Sequence, residues 1–250
     1  MKKNRPVQAP EQRFEALLID LDGTLIELEL DRFVPAYFEA LSGYFSELHS
    51  PDQFARHLLT ATRTTIRDQE RSKTNETTFF ADFCRNLGSD RAAIDPLIRE
   101  FYRNEFPRLR SWSAPRSHAR SVLEAARRQG LKLVLATQPV FPHSAAVERL
   151  SWGGLSEEYF DLITTIENMH SCKPHPDYYL EIASRIAVAP ERCLMAGNDT
   201  LEDISATRAG MGTYLVEGGV IDRGEDALPH DYRGTLAELA RFIENDFQAT

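Results

Sequence analysis

The stretch that decides the fold is Phe14-Glu15-Ala16-Leu17-Leu18-Ile19-Asp20-Leu21-Asp22-Gly23-Thr24-Leu25. Its apolar run, Phe14 to Ile19, stops abruptly at Asp20. That pattern predicts a buried parallel strand opening on a polar loop. Asp20 and Asp22 are two apart, so they share one direction if the strand continues. Gly23 permits a sharp turn. Four further runs have the same character: Leu131 to Ala136, Asp161 to Thr165, Arg192 to Ala196 and Gly212 to Val216. Helical patterns lie between or after them, at Ser117 to Gln129, Pro142 to Leu150, Pro176 to Ile186, Leu201 to Ala209 and Thr235 to Phe247. Strands alternating with helices predict an α/β fold with a Rossmann-like, doubly wound parallel sheet.

The stretch 26–112 reads differently. It has no clear strand and predicts helices near Phe33–Glu47, Pro51–Glu70, Glu76–Leu87 and Ala92–Phe106. Ser50-Pro51, Thr74-Asn75, Gly88-Ser89-Asp90 and Pro107 separate them. The expected organisation is a flexible tail over 1–13, an α/β core over 14–25 and 113–250, and an all-helical insert over 26–112.

The chain has 250 residues, with 29 Lys+Arg against 38 Asp+Glu, a formal charge of −9, and 42% hydrophobic residues. That is enough apolar material for a sizeable core. An acidic chain repels polyanions, which argues against nucleic acid or an anionic membrane as partner. A local site for a small phosphate compound is still permitted. No apolar run approaches the ~20 residues of a membrane helix. The N-terminus has basic residues without an apolar stretch, unlike a secretory signal. Cys84, Cys172 and Cys193 are odd in number and widely spaced, so they read as buried thiols of a reducing compartment. The expected location is the cytoplasm. Nothing in the sequence indicates an oligomeric state.

Four features stand where predicted strands end, the position at which open α/β sheets place ligands. They are Asp20-Leu21-Asp22-Gly23-Thr24-Leu25, Thr137, Lys173-Pro174, and Gly197-Asn198-Asp199-Thr200-Leu201-Glu202-Asp203. Each alone has a plain structural explanation: a polar turn, a strand-end hydroxyl, a surface lysine, a helix N-cap. Together and in this order they are far more specific.

In these motifs the sequence resembles the haloacid-dehalogenase superfamily of phosphohydrolases, over almost its whole length. The helical insert looks like the family's cap domain of the first type. The resemblance implies a phosphohydrolase acting on a small phosphorylated metabolite. Asp20 would be the nucleophile, forming an aspartyl-phosphate, and Asp22 the acid and base. Thr137 and Lys173 would hold the phosphoryl oxygens. Mg²⁺ would be held by the Asp20 carboxylate, the Asp22 carbonyl and a motif-four acid. Most relatives place an Asp straight after the motif-four Gly, where this chain has Asn198. Both Asn198 and Asp199 are therefore candidate ligands, with Asp199 preferred. Asp203 would orient Lys173 or a metal-bound water from behind. At motif two, Thr137-Gln138 replaces the commoner Thr-Asn or Ser-Asn.

A second carboxylate at Asp22 favours phosphoryl transfer over dehalogenation. Lys73, the only lysine of the insert, sits in no motif of the phosphonate-cleaving branch. A phosphomutase and a catalytically silent binding protein on the same fold are the alternatives. Arg63, Arg67 and Arg71 are four apart and predict one basic helix stripe, either facing a second anionic group of the substrate or paired with Asp68 and Glu70. Trp112, Trp152 and Phe79-Phe80 are expected in core or hinge packing, the alternative being aromatic platforms for a base or sugar.

Overall fold

The computed structural model describes residues 14–46 and 50–248. The expected tail over 1–13 lies outside the described residues. Six strands form one parallel sheet: β1 (Ala16–Ile19), β4 (Lys132–Leu135), β5 (Leu162–Ile163), β6 (Cys193–Gly197), β7 (Gly212–Val216) and β8 (Tyr232–Gly234). Their order is β5-β4-β1-β6-β7-β8. Ile19 pairs with Leu135 on one side and Ala196 on the other, so the three strands end level. The order reverses at β1, which opens a crevice beyond its carboxyl end.

Strand alternation divides the core into two layers. Leu17, Ile19, Leu133, Leu135, Leu194 and Ala196 face one way, against α5 (Ala119–Arg128) and α8 (Leu236–Glu244). Ala16, Leu18, Val134, Ala136, Cys193 and Met195 face the other way, against α7 (Pro176–Ile186). With apolar residues on both faces, the strands read as continuous hydrophobic runs.

Between β1 and β4 the chain forms α1 (Leu30–Gly43), α2 (Pro51–Arg67), α3 (Asn75–Leu87) and α4 (Arg91–Asn104). A capping box of Ser50 and Gln53 starts α2, and Gly88 ends α3 in the left-handed region at φ 64°. The interior of this helical segment is aromatic. Phe33, Phe45, Phe54, Phe83, Phe101 and Phe106 are nearly or fully buried. Trp152 closes it from α6 (His143–Trp152), stacked on Phe106 with ring centres 5.4 Å apart. Trp152 thus takes the packing role expected of it, Trp112 packs at the margin of the same cluster, and Phe79 and Phe80 pack there while also lining a cavity.

Three local expectations change. The segment 26–112 does carry a strand: β2 (Ile26–Leu28) pairs antiparallel with β3 (Ser113–Pro115) where the chain enters and leaves the helices. Strands of three residues are too short to show a period. Residues 201–209 form turns and a 3₁₀ helix over Ile204–Ala209 in place of an α-helix. Finally, α2 stops at Arg67, because the Asp68 carboxylate accepts from the Glu70 N–H (3.0 Å) and the Thr78 hydroxyl (2.7 Å), which turns the chain. Arg71 therefore leaves the helix and pairs with Asp177 of α7, so the three arginines form no stripe. Lys73, not an arginine, pairs with Glu70 at 2.9 Å.

Candidate active site

Asp20 follows the last residue of β1 and is 8% exposed. Its N–H donates to the Ala196 carbonyl at 3.0 Å, which extends the ladder by one residue and fixes the carboxylate at the crevice. The chain then turns sharply, with the Gly23 N–H donating to the Ile26 carbonyl at 2.8 Å. Gly23 stands at φ 79°, and a Cβ there would lie 2.4 Å from Asn198 Nδ2. Only glycine permits both that backbone and that approach.

Lys173 comes from the loop before α7, in a turn whose Lys173–Pro174 bond is cis. It is 1% exposed, and its Nζ donates to Asp20 Oδ1 at 2.8 Å and to Asp203 Oδ1 at 2.6 Å. Two buried carboxylates thus share one ammonium. Burial opposes the charge on Lys173, but Asp20 and Asp203 outweigh it and raise its pKa well above the ordinary value. Burial also raises the pKa of Asp20, against the pull of Lys173, and Asp22 adds to the rise. Asp203 is pushed up to about 6, again chiefly by burial. A Cβ at Gly197 would lie 2.2 Å from the Asp203 carboxyl, so glycine makes room for that contact.

Gln138 joins two of the expected motifs. Its Oε1 accepts from the Lys173 N–H at 3.1 Å, and its Nε2 donates to the Lys173 carbonyl at 3.1 Å. The glutamine that departs from the commoner asparagine thus grips both backbone polar groups of Lys173. Thr137 is buried, and its carbonyl accepts from Thr164 Oγ1 and the Tyr178 hydroxyl, each at 2.9 Å.

Two further side chains escaped the sequence reading. Arg149 of α6 is 1% exposed and forms an ion pair with Asp22 Oδ2. Its Nε donates to the Ala145 carbonyl at 3.2 Å, and its Cζ lies 4.6 Å from the centre of the Phe141 ring. A signal was present: Ala145, Ala146, Arg149 and Leu150 form a buried i, i+1, i+4, i+5 stripe. An arginine on that stripe needs a buried anion. Arg223 follows β7 and donates its Nε to Asp199 Oδ2 at 2.9 Å. Its position in an irregular loop gave no such signal.

The Asp199 N–H donates to Asp203 Oδ2 at 2.9 Å, so its backbone meets the cluster while its carboxylate has other partners. Its Oδ1 caps the following turn, accepting from the Leu201 and Glu202 N–H groups at 2.9 Å each, while Arg223 holds Oδ2. Asn198 braces motif one instead: Oδ1 accepts from Thr24 Oγ1 at 3.1 Å and Nδ2 donates to the Gly219 carbonyl at 2.6 Å. Among the described residues no three His, Cys, Asp or Glu side chains gather as a metal cluster. The expected donor set is two carboxylates and a main-chain carbonyl, all hard oxygens, which suits Mg²⁺. Asp22 Oδ1 adds a buried oxygen without a hydrogen-bond partner. The chemistry of these donors fits a hard divalent cation, with Asp199 the member already shared with Arg223.

Residues 14–210 match a family model described as haloacid dehalogenase-like hydrolase. The chain is 28% identical over 241 residues to the protein CbbY of Cereibacter sphaeroides, covering 94% of this chain and 98% of that one. It is 23% identical over 207 residues to the pyrophosphatase PpaX of Bacillus cereus strain B4264, covering 82% and 83% of the two chains. Among solved structures, a HAD phosphatase from Thermococcus onnurineus shares the fold, with a TM-score of 0.57 and 24% identity over 92% of this chain and 98% of that one. Among the described residues no helix is long and apolar enough to cross a membrane.

Proposed function

Because the chain belongs to the haloacid dehalogenase-like hydrolases, we propose that it is a phosphohydrolase releasing phosphate from a small phosphorylated metabolite. The observation that carries this reading is the buried Asp20, tied to Lys173 at 2.8 Å, with a second carboxylate two residues on. Asp20 attacks phosphorus, and the ester P–O bond breaks to leave an aspartyl-phosphate. Asp22 gives its proton to the departing oxygen, then takes one from the water that attacks the aspartyl-phosphate. Inorganic phosphate leaves, and Asp20 and Asp22 return to their starting states. Arg149 holds one Asp22 oxygen throughout, which leaves Oδ1 facing the proton transfers.

Lys173 and Thr137 hold the phosphoryl oxygens, Lys173 offsetting the charge that spreads over them in the transition state. Asp203 keeps the lysine charged and in place. Asp20, the Asp22 carbonyl and Asp199 would hold Mg²⁺, which would supply positive charge against the repulsion between a carboxylate and an anionic phosphoryl group. Asn198 and Asp203 are supports around that set. The cytoplasm is the compartment that suits its three free thiols.

The test is phosphate release from p-nitrophenyl phosphate with and without Mg²⁺, alongside Asp20→Asn. The reading expects Mg²⁺-dependent release that Asp20→Asn lowers by at least about a thousandfold. Full activity in Asp20→Asn would move the nucleophile elsewhere. Phosphate transferred within the substrate without release would favour a mutase.

A further inference from the structure

A cavity of about 730 Å³ lies between the helical segment and the core, walled in part by Phe38, Leu58, Phe79, Phe80, Ile98 and Phe141. Small-molecule sites commonly span about 300–1,000 Å³ and are mostly apolar. Nothing in the catalytic steps above uses this space. Val34 and Leu59, each 40% exposed, also line it, so its apolar character reaches the surface. Its charged lining is largely self-satisfied: Arg91 pairs with Glu76 at 2.8 Å and Asp95 at 3.3 Å, and Glu167 accepts the His143 N–H at 3.1 Å. Arg99 and Arg103 are exposed on the cavity-lining side of α4.

One wall of the cavity is linked, through Arg149, to the acid that serves the leaving group. Phe141 lines the cavity, the Arg149 guanidinium lies 4.6 Å from its ring, and the same guanidinium pairs with Asp22. At this seam two buried polar atoms have no hydrogen-bond partner among the described residues: Asp22 Oδ1 and Arg149 Nη2. Buried polar atoms left unpaired are costly, and such pairs mark places where a ligand atom completes the network.

We propose that the cavity receives an apolar leaving group, so that the substrates are phosphate monoesters of aryl or medium-chain alkyl alcohols, with the ester oxygen at the Asp22–Arg149 seam. The proposal rests on the phosphohydrolase reading and adds the class of alcohol. Polar sugar alcohols gain little from such walls, whereas each methylene removed from water favours binding.

The experiment is kcat/KM for ethyl, butyl and hexyl phosphate, with glycerol phosphate as the polar reference. The proposal expects a rise of about three- to fourfold for each added methylene, with hexyl phosphate far above glycerol phosphate. Ile98→Trp, which narrows the cavity, should flatten the series. The wild-type series decides the matter even if that variant fails to fold. Turnover of all four esters with no dependence on chain length, or a preference for glycerol phosphate, overturns the proposal and leaves the phosphohydrolase reading standing. No phosphate release from the four esters by protein that hydrolyses p-nitrophenyl phosphate overturns the proposal alone, and no release from p-nitrophenyl phosphate either overturns both.

Discussion

The core and the helical segment bury different things. All the buried charge among the described residues belongs to the core: Asp20, Arg149, Lys173, Asp199 and Asp203. The helical segment buries rings and, among polar side chains, only Ser42, Thr65, Asn75 and Thr78. Burying charge costs free energy unless every group is paired, so a core that concentrates it at the ends of three strands is organised for chemistry. Burying rings confers shape and apolar area without reactive groups. The difference matches the proposed division of work: reactivity in one region, selection in the other.

This contrast can be broken most directly at Lys173. Lys173→Met leaves Asp20 and Asp203 without their shared cation, and should cost about 3–5 kcal/mol at neutral pH by urea unfolding. Both carboxyls have raised pKa values when folded, so both take up a proton more readily than in the unfolded chain. The loss should therefore shrink as the pH falls through about 6, the value to which Asp203 is pushed. A loss independent of pH would mean that Lys173 serves packing alone.

Phe101→Ala probes the other region. Removing a fully buried ring that meets Phe106 at 6.1 Å should cost about 3–5 kcal/mol. That cost should be the same at pH 5 and pH 8, because no charged group changes its burial. A strong pH dependence there would erase the contrast.

A smaller effect is expected at Asp203. Its folded pKa of about 6 exceeds its ordinary 3.8, so the folded chain binds more protons than the unfolded chain between those values. Its contribution to stability is present in acid and is lost as pH rises through that window. The stability difference between wild type and Asp203→Asn should therefore fall from pH 4 to pH 6, measured by urea unfolding at each pH. The smallest effect belongs to Arg67, exposed at the end of α2. Arg67→Glu should change stability by no more than about 0.5 kcal/mol and leave the KM for anionic substrates unchanged. A raised KM would restore a basic face to substrate binding.

The sheet and the meeting of Asp20, Lys173 and Asp203 were legible because both are written locally. Apolar runs that stop at Asp20, Thr137 and Gly197 mark strand ends, and the topology of a doubly wound sheet brings those ends together. What escaped depends on contacts distant in sequence. Arg149 looks like an ordinary basic helix residue until Asp22 is seen opposite it. The reach of Gln138 to Lys173, and of Arg223 to Asp199, leaves no trace in the spacing. The end of α2 at Arg67 turned on one aspartate competing for backbone N–H groups, which periodicity does not register.

The short β2–β3 ribbon has an evolutionary meaning. Leu28 lies opposite Ser113 and Ile26 opposite Pro115, so the chain departs and returns side by side. A whole bundle of helices is thus hung from the core on two adjacent stems, as a graft on a rootstock. One such bundle could be exchanged for another of different lining without rethreading the sheet, giving a lineage a way to change what it accepts while keeping how it reacts.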